Sequence, residues 1–188
     1  MAEIERFTKA ERALHSTNAA AVFFLLITGG IMFKDLDHWK IAGINVISQA
    51  HFWLGGILLL LGGAIAFLVF RRRTIPFAHK RFNPGQRVSL NFVRFMLGFM
   101  TLSGLVIYVG KLMGMSKHTL HFIKHVHLYG AWLMVAFILA HVAMVLLVPK
   151  NRGIIESMKK GSVDRKVAMK VSPDWVESLE ADLEAKLV

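Results

Sequence analysis

Four apolar blocks constrain this chain most: about Ala13–Phe33, Ala50–Phe70, Val88–Val109 and Phe122–Val148. Crossing a bilayer takes a helix of about 20 apolar residues, and none of these blocks has the length of a strand. The chain is 55% hydrophobic, against roughly 45–50% for a soluble domain. The expected fold is therefore an all-α integral membrane protein. A four-transmembrane-helix bundle occupies residues 1–150, and a mostly polar tail follows over 151–188. No cleavable signal peptide is read, because charges run to Arg12 and no A-x-A site follows the first block. In the tail, Ser172-Pro173-Asp174 has the pattern of a helix start, with Ser172 as cap and Pro173 in the first turn. Trp175–Leu187 then reads as a short amphipathic surface helix. No internal repeat or low-complexity segment is read.

Cysteine is absent. That excludes disulfides, thiolate haem ligation, covalent haem c attachment and protein-held iron–sulfur clusters in this chain. A metal here must be held by His, Met or carboxylates. The net charge of +11 is informative through its distribution. Arg6, Lys9 and Arg12 precede the first span. Arg71, Arg72, Arg73, Lys80, Arg81 and Arg87 lie between the second and third. Lys150, Arg152, Lys159, Lys160, Arg165, Lys166, Lys170 and Lys186 follow the fourth. The two other connections hold only Lys34 and Lys40, then Lys111, Lys117 and Lys124. The positive-inside rule places both termini and the second connection in the cytoplasm. Binding of the basic tail to anionic lipid gives the same orientation. No nucleic-acid partner is expected.

Within the fourth block, Val126–Val148 is an unbroken apolar stretch that contains His127 and His141. At about 100° per residue, fourteen residues bring the two within roughly 40° on one helix face, about 21 Å apart along the axis. Ionisable groups at membrane depth are costly and usually functional. His15 opens the first span and His51 the second. With the N-terminus inside, depth pairs His51 with His127 near the outer face and His15 with His141 near the inner face. Two bis-imidazole sites result, one per leaflet, sharing the fourth helix. Imidazole is a good iron ligand, and a four-helix bundle can enclose a planar macrocycle. Gly29-Gly30, Gly55-Gly56, Gly62-Gly63, Gly98, Gly104 and Gly130 supply small residues nearby, although close helix packing alone also uses them.

His118, His121 and His125 lie at i, i+3, i+7 in an outer loop running into the fourth span. They fit a solvated partner surface better than a zinc site, which wants four ligands. His125 is a register rival to His127, rotated about 200° from it. His38 and His79 read as loop residues, and the methionines as filler. Asn83-Pro84-Gly85 is a turn signal by itself.

The chain resembles the cytochrome b (gamma) subunit of membrane-bound formate dehydrogenases, which groups with the cytochrome b subunits of nickel–iron hydrogenases and thiosulfate reductases. The likeness rests on Glu11-Arg12-Ala13-Leu14-His15, Gln49-Ala50-His51-Phe52-Trp53-Leu54-Gly55, Asn83-Pro84-Gly85-Gln86-Arg87, Ser103-Gly104-Leu105-Val106-Ile107-Tyr108, the His127/His141 spacing, Gly153-Ile154-Ile155-Glu156-Ser157-Met158 and Pro173-Asp174-Trp175. It implies two haem b groups, the outer held by His51 and His127, the inner by His15 and His141. It implies a periplasmic iron–sulfur (beta) subunit as electron donor and a molybdenum- or tungsten-pterin (alpha) subunit as the formate catalyst. Electrons would pass from the outer haem to the inner, then to a quinone, menaquinone or ubiquinone, at the cytoplasmic face. Asn83, Gly85 and Gln86 would line the quinone site. The place would be the bacterial inner membrane, within a heterotrimer that can assemble further.

The chain departs from the family at two points. Gly130 stands three residues after His127, where the family's glycine is nearer four. Arg94 stands in the third span where the family often has an apolar residue, and it would either reach a haem propionate or snorkel to lipid headgroups. The formate active site itself has no counterpart here, so the chain is expected to be an electron-transfer subunit. Three other functions compete: the same di-haem role beside a hydrogenase or a thiosulfate/polysulfide reductase, a lipid-bound scaffold without redox activity, and a histidine-based metal transporter. The last is disfavoured by the absence of a broken-helix repeat.

Overall fold

A computed structural model of the chain describes residues 3–33, 40–41, 44–71 and 80–186. Lys34, His38, Arg72, Arg73, His79 and Leu187, used in the sequence readings, lie outside the described residues. Four long helices correspond to the four apolar blocks: α1 (Lys9–Phe33), α2 (Val46–Arg71), α3 (Pro84–Leu112) and α4 (Lys117–Leu147). By length and composition α1, α3 and α4 can each cross a membrane, and the apolar part described in α2, Val46–Leu58, is shorter. Large apolar side chains such as Phe23, Ile27, Trp53, Leu102, Phe122 and Trp132 are exposed along these helices. Contiguous apolar surface of this kind is a liability in water and is solvated in lipid.

The helices start before the apolar blocks because polar residues cap them. Thr8 and Glu11 form a reciprocal box at α1: the Glu11 amide donates to Thr8 Oγ1 (3.2 Å) and the Thr8 amide to Glu11 Oε2 (2.9 Å). Asn83 and Gln86 form the same device at α3: the Gln86 amide donates to Asn83 Oδ1 (2.9 Å) and the Asn83 amide to Gln86 Oε1 (3.2 Å). Pro84 occupies the first position of α3, where its missing N–H costs nothing. The stretch that reads as a bare turn is therefore a helix start. At α4, Ser116 Oγ accepts from the Thr119 amide at 3.1 Å. Gly114, at φ +70°, supplies the left-handed residue that the short α3–α4 connection requires.

The chain divides into two compact units. One comprises Met1–Leu14, Phe67–Phe92 and Leu139–Val188. Here β1 (Glu3–Glu5) pairs antiparallel with β4 (Ser162–Asp164), Ile4 facing Val163. A 3-10 turn at Pro149–Asn151 leads from α4 into α5 (Arg152–Lys160), and α6 (Arg165–Val171) and α7 (Pro173–Ala185) follow β4. Val163, Ala168, Trp175 and Val176 form a core, with Ile4, Val167, Met169 and Leu179 against it. Gly161 makes the crossing between α5 and β4. Its φ is +93°, a Cβ there would lie 2.9 Å from the Phe7 carbonyl oxygen, and its own carbonyl accepts from the Arg6 and Phe7 amides. Gly153 permits a second close approach, since a Cβ there would meet Val167 Cγ1 at 2.5 Å.

The tail helix starts at Pro173, as Ser172-Pro173-Asp174 suggests, but its surroundings differ from the expectation. Trp175 and Val176 are fully buried, so α7 closes a core rather than lying on a surface. The Ser172 hydroxyl makes no cap; it donates to the Arg81 carbonyl at 2.8 Å. The reason is long-range: β1 comes from the other end of the chain, and a local pattern carries no record of it. Trp175→Ala is expected to cost about 3–5 kcal/mol, the range for deleting a large buried aromatic. Faster proteolysis of the tail and a lower melting temperature in detergent would show it.

Two guanidiniums lie beside the start of α3 within this unit. Arg81 pairs with Glu11 through both oxygens, Nη2–Oε1 at 2.6 Å and Nη1–Oε2 at 3.1 Å, and Nη1 also donates to the Arg6 carbonyl. Arg6 is fully buried and donates to the Arg81 carbonyl (3.1 Å) and to Gln86 Oε1 (3.5 Å). Burial, with the Arg81 charge beside it, lowers the Arg6 pKa to about 10, so it stays charged at neutral pH. Arg6 lies over the rings of Phe7 and Trp175, and Arg81 over Phe7 and Phe82. Those aromatic faces offset part of the cost of burying N–H groups without acceptors.

Candidate functional site

The second unit comprises His15–Ala66 and Val93–Ile138. It contains a short antiparallel pair, β2 (Lys40–Ile41) with β3 (Ile44–Asn45), ahead of α2. Between its helices His51 on α2 and His127 on α4 face each other. Their ring centroids are 6.3 Å apart and the planes cross at 75°. Each ring is held by a hydroxyl on the preceding helix. His51 Nδ1 is 2.8 Å from Thr28 Oγ1 on α1, and His127 Nδ1 is 2.8 Å from Ser103 Oγ on α3. Each ring also lies against a glycine. A Cβ at Gly29 would come within 3.3 Å of His51 Cε1, and one at Gly104 within 3.4 Å of His127 Cε1.

The helices around the pair are packed closely. Phe52 of α2 stacks on Tyr108 of α3, centroids 3.7 Å apart at 13°. Gly130 of α4 meets α3, where a Cβ would lie 2.7 Å from both Met100 Sδ and Phe99 Cε1. Gly130 is therefore a packing residue between α3 and α4.

The register on α4 is set by the same geometry: His127 faces His51. The rival His125 turns to its own helix, with Nδ1 2.9 Å from the His121 carbonyl oxygen and its ring 4.2 Å from that of His121. His118 and His121 are exposed. All three belong to α4 itself rather than to a loop. Among the described residues, no group of three His, Asp or Glu is arranged to hold a metal ion.

The remaining expected site residues are placed as follows. His15 is exposed on α1 and belongs to the second unit, whereas His141 on α4 belongs to the first. Asn83, Gly85 and Gln86 form the first turn of α3, with the amide oxygens of Asn83 and Gln86 engaged in the cap. Arg94 is exposed on α3. The sequence motifs omit Thr28 and give Ser103 no role toward His127. The signal was available as a hydroxyl–glycine dipeptide 23 residues before His51 and again 24 residues before His127. This repeat is only two residues long.

The donor set fits a haem. His51 and His127, with ring centroids 6.3 Å apart, would hold the iron between them through imidazole nitrogen. Both Nδ1 atoms are engaged with hydroxyls, so Nε2 would be the nitrogen offered to a metal. The neighbouring glycines keep a Cβ away from the rings. A bound haem would supply one-electron redox chemistry.

These features define a multi-pass helical membrane protein with an imidazole pair held between its helices. The sequence profile of the prokaryotic cytochrome b561 family matches residues 6–161, and the chain belongs to that family. It is a membrane cytochrome b, an electron-transfer protein that binds haem b. Neither a curated protein nor a solved structure matches it.

Proposed function

We propose that the chain is the di-haem cytochrome b membrane anchor of a respiratory formate dehydrogenase. In this reading four helices cross the bacterial inner membrane with both termini cytoplasmic. His51 and His127 hold the outer haem iron, and His15 and His141 the inner one. Electrons enter from a periplasmic iron–sulfur subunit fed by a molybdenum- or tungsten-pterin catalyst, and leave to menaquinone or ubiquinone at the cytoplasmic side. The facing His51–His127 pair, in a family of membrane cytochromes b, is the observation that carries the reading. The second pair rests on the fourteen-residue spacing of His127 and His141 along α4.

The test is reduction of the intact membrane complex. Formate should reduce the haem b absorption and a quinone should reoxidise it. Haems that respond to hydrogen and not to formate would move the chain to the hydrogenase reading. A purified complex without haem would overturn both.

Asn83 and Gln86 are proposed to contribute amide groups to the quinone site, beside their role in capping α3. The two roles separate by substitution. Asp at the cap and Glu three residues later keep the capping geometry, but both lose the amide N–H. Asn83→Asp with Gln86→Glu is expected to slow quinone reduction roughly tenfold to hundredfold, the effect of losing about 1–3 kcal/mol at the transition state. Haem content and melting temperature should stay unchanged. An unaltered steady-state rate would leave these residues with the cap alone.

A further inference from the structure

We propose that the hydroxyls of Thr28 and Ser103 are positioning residues, each fixing the tautomer of a histidine so that Nε2 faces the metal and setting the redox potential of the haem. The inference rests on the ligation proposed for His51 and His127.

A threonine or serine hydroxyl has one proton to give. Thr28 Oγ1 lies 2.9 Å from the Phe24 carbonyl oxygen, and Ser103 Oγ lies 2.8 Å from the Phe99 carbonyl oxygen. These are the i−4 back-bonds that such side chains make inside helices. With its proton directed there, each hydroxyl can only accept at its other contact. His51 and His127 must then donate from Nδ1, and the lone pair resides on Nε2. The chain of donors is the same at both rings: imidazole Nδ1–H to hydroxyl oxygen, hydroxyl O–H to backbone carbonyl. The carbonyls belong to rigid helices, so the rings are oriented before any metal arrives.

The adjoining glycines complete the placement. The hydroxyl fixes one ring nitrogen, and the following glycine leaves room for Cε1 at 3.3 Å and 3.4 Å from where a Cβ would stand. Thr28-Gly29 on α1 serves α2, and Ser103-Gly104 on α3 serves α4. The arrangement thus occurs once for each ligand.

The acceptor is neutral in both cases. A hydrogen bond from the distal nitrogen raises the basicity of the ligating one. A more basic imidazole favours ferric over ferrous iron and holds the potential down. Removing the hydroxyl should release that restraint, so the potential should rise. Outer-shell partners of this kind are typically worth about tenfold to hundredfold in metal affinity. If the ferric form loses tenfold more affinity than the ferrous, the one-electron potential rises by about 59 mV.

The test compares variants that lose the hydroxyl with variants that keep it: Thr28→Val and Ser103→Ala against Thr28→Ser and Ser103→Thr, in the intact complex. Midpoint potentials are read by optical redox titration, and the ligand field from the ferric low-spin electron paramagnetic resonance signal. Thr28→Val and Ser103→Ala should each raise the potential of one haem and shift its signal. Thr28→Ser and Ser103→Thr should leave both at wild-type values. If Thr28→Val or Ser103→Ala loses the haem, retention in the hydroxyl-bearing partner variant supports the inference, and loss in both refutes it, because packing alone would then explain the loss. Unchanged potentials and signals with haem retained would also refute it while leaving the ligation intact. Wild-type protein without haem would overturn the ligation itself, and this inference with it.

Discussion

Replacing His51 or His127 by alanine is expected to remove one haem b per chain, with half of the α-band absorption lost and helicity retained. Either substitution leaves a single imidazole where two face each other. The proposed second pair, His15 and His141, should keep its haem in both variants. His15→Ala or His141→Ala should have the complementary effect and lose the other haem. His125→Ala should keep both, because its ring is engaged with the turn below it. Haem content and circular dichroism on the same samples check this result. A His125→Ala protein that loses a haem, beside a His127→Ala protein that keeps two, would contradict the register on α4.

Glu11→Ala is expected to destabilise the first unit by about 3–5 kcal/mol, the usual cost of stranding one partner of a buried ion pair. The side chain of Arg81 is only 5% exposed, and Glu11 provides its carboxylate. The same change removes half of the reciprocal cap at the start of α1, the bond accepted from the Thr8 amide. Glu11→Gln keeps an acceptor for the cap and should cost less. Breaking the exposed Lys160–Glu156 pair should cost at most about 1 kcal/mol, because solvent already screens it. Thermal unfolding in detergent, with proteolysis of the tail as a second readout, orders the variants. Equal stability of Glu11→Ala and wild type would show that the buried cluster carries little of the fold.

The helical blocks were legible from local apolar runs, and the approach of His51 to His127 because each is placed by the direction of its own helix. Span length follows from the apolar run, and depth follows from helix direction. What escaped the sequence is long-range or cooperative. β1 looks like a charged arm, since its partner β4 lies near the opposite end of the chain. Trp175 looks like a surface aromatic for the same reason. Arg6 and Arg81 count as positive-inside charges in a linear reading, yet both are buried in one cluster around Glu11. Asn83-Pro84-Gly85 carries a turn composition, and only the return bond from Gln86 turns it into a helix start. Thr28 and Ser103 are ordinary small residues of apolar helices until the rings facing them are placed. Their repeat is two residues long and sits inside helices whose surroundings do not repeat, which is why self-comparison of the sequence passes over it.

We propose that two haems b are held between paired histidines in this chain. A pyridine haemochrome assay on freshly isolated protein, with the polypeptide quantified by amino-acid analysis, measures it most directly. The expected result is two non-covalent haems b per chain. Zero or one haem per chain would contradict the account.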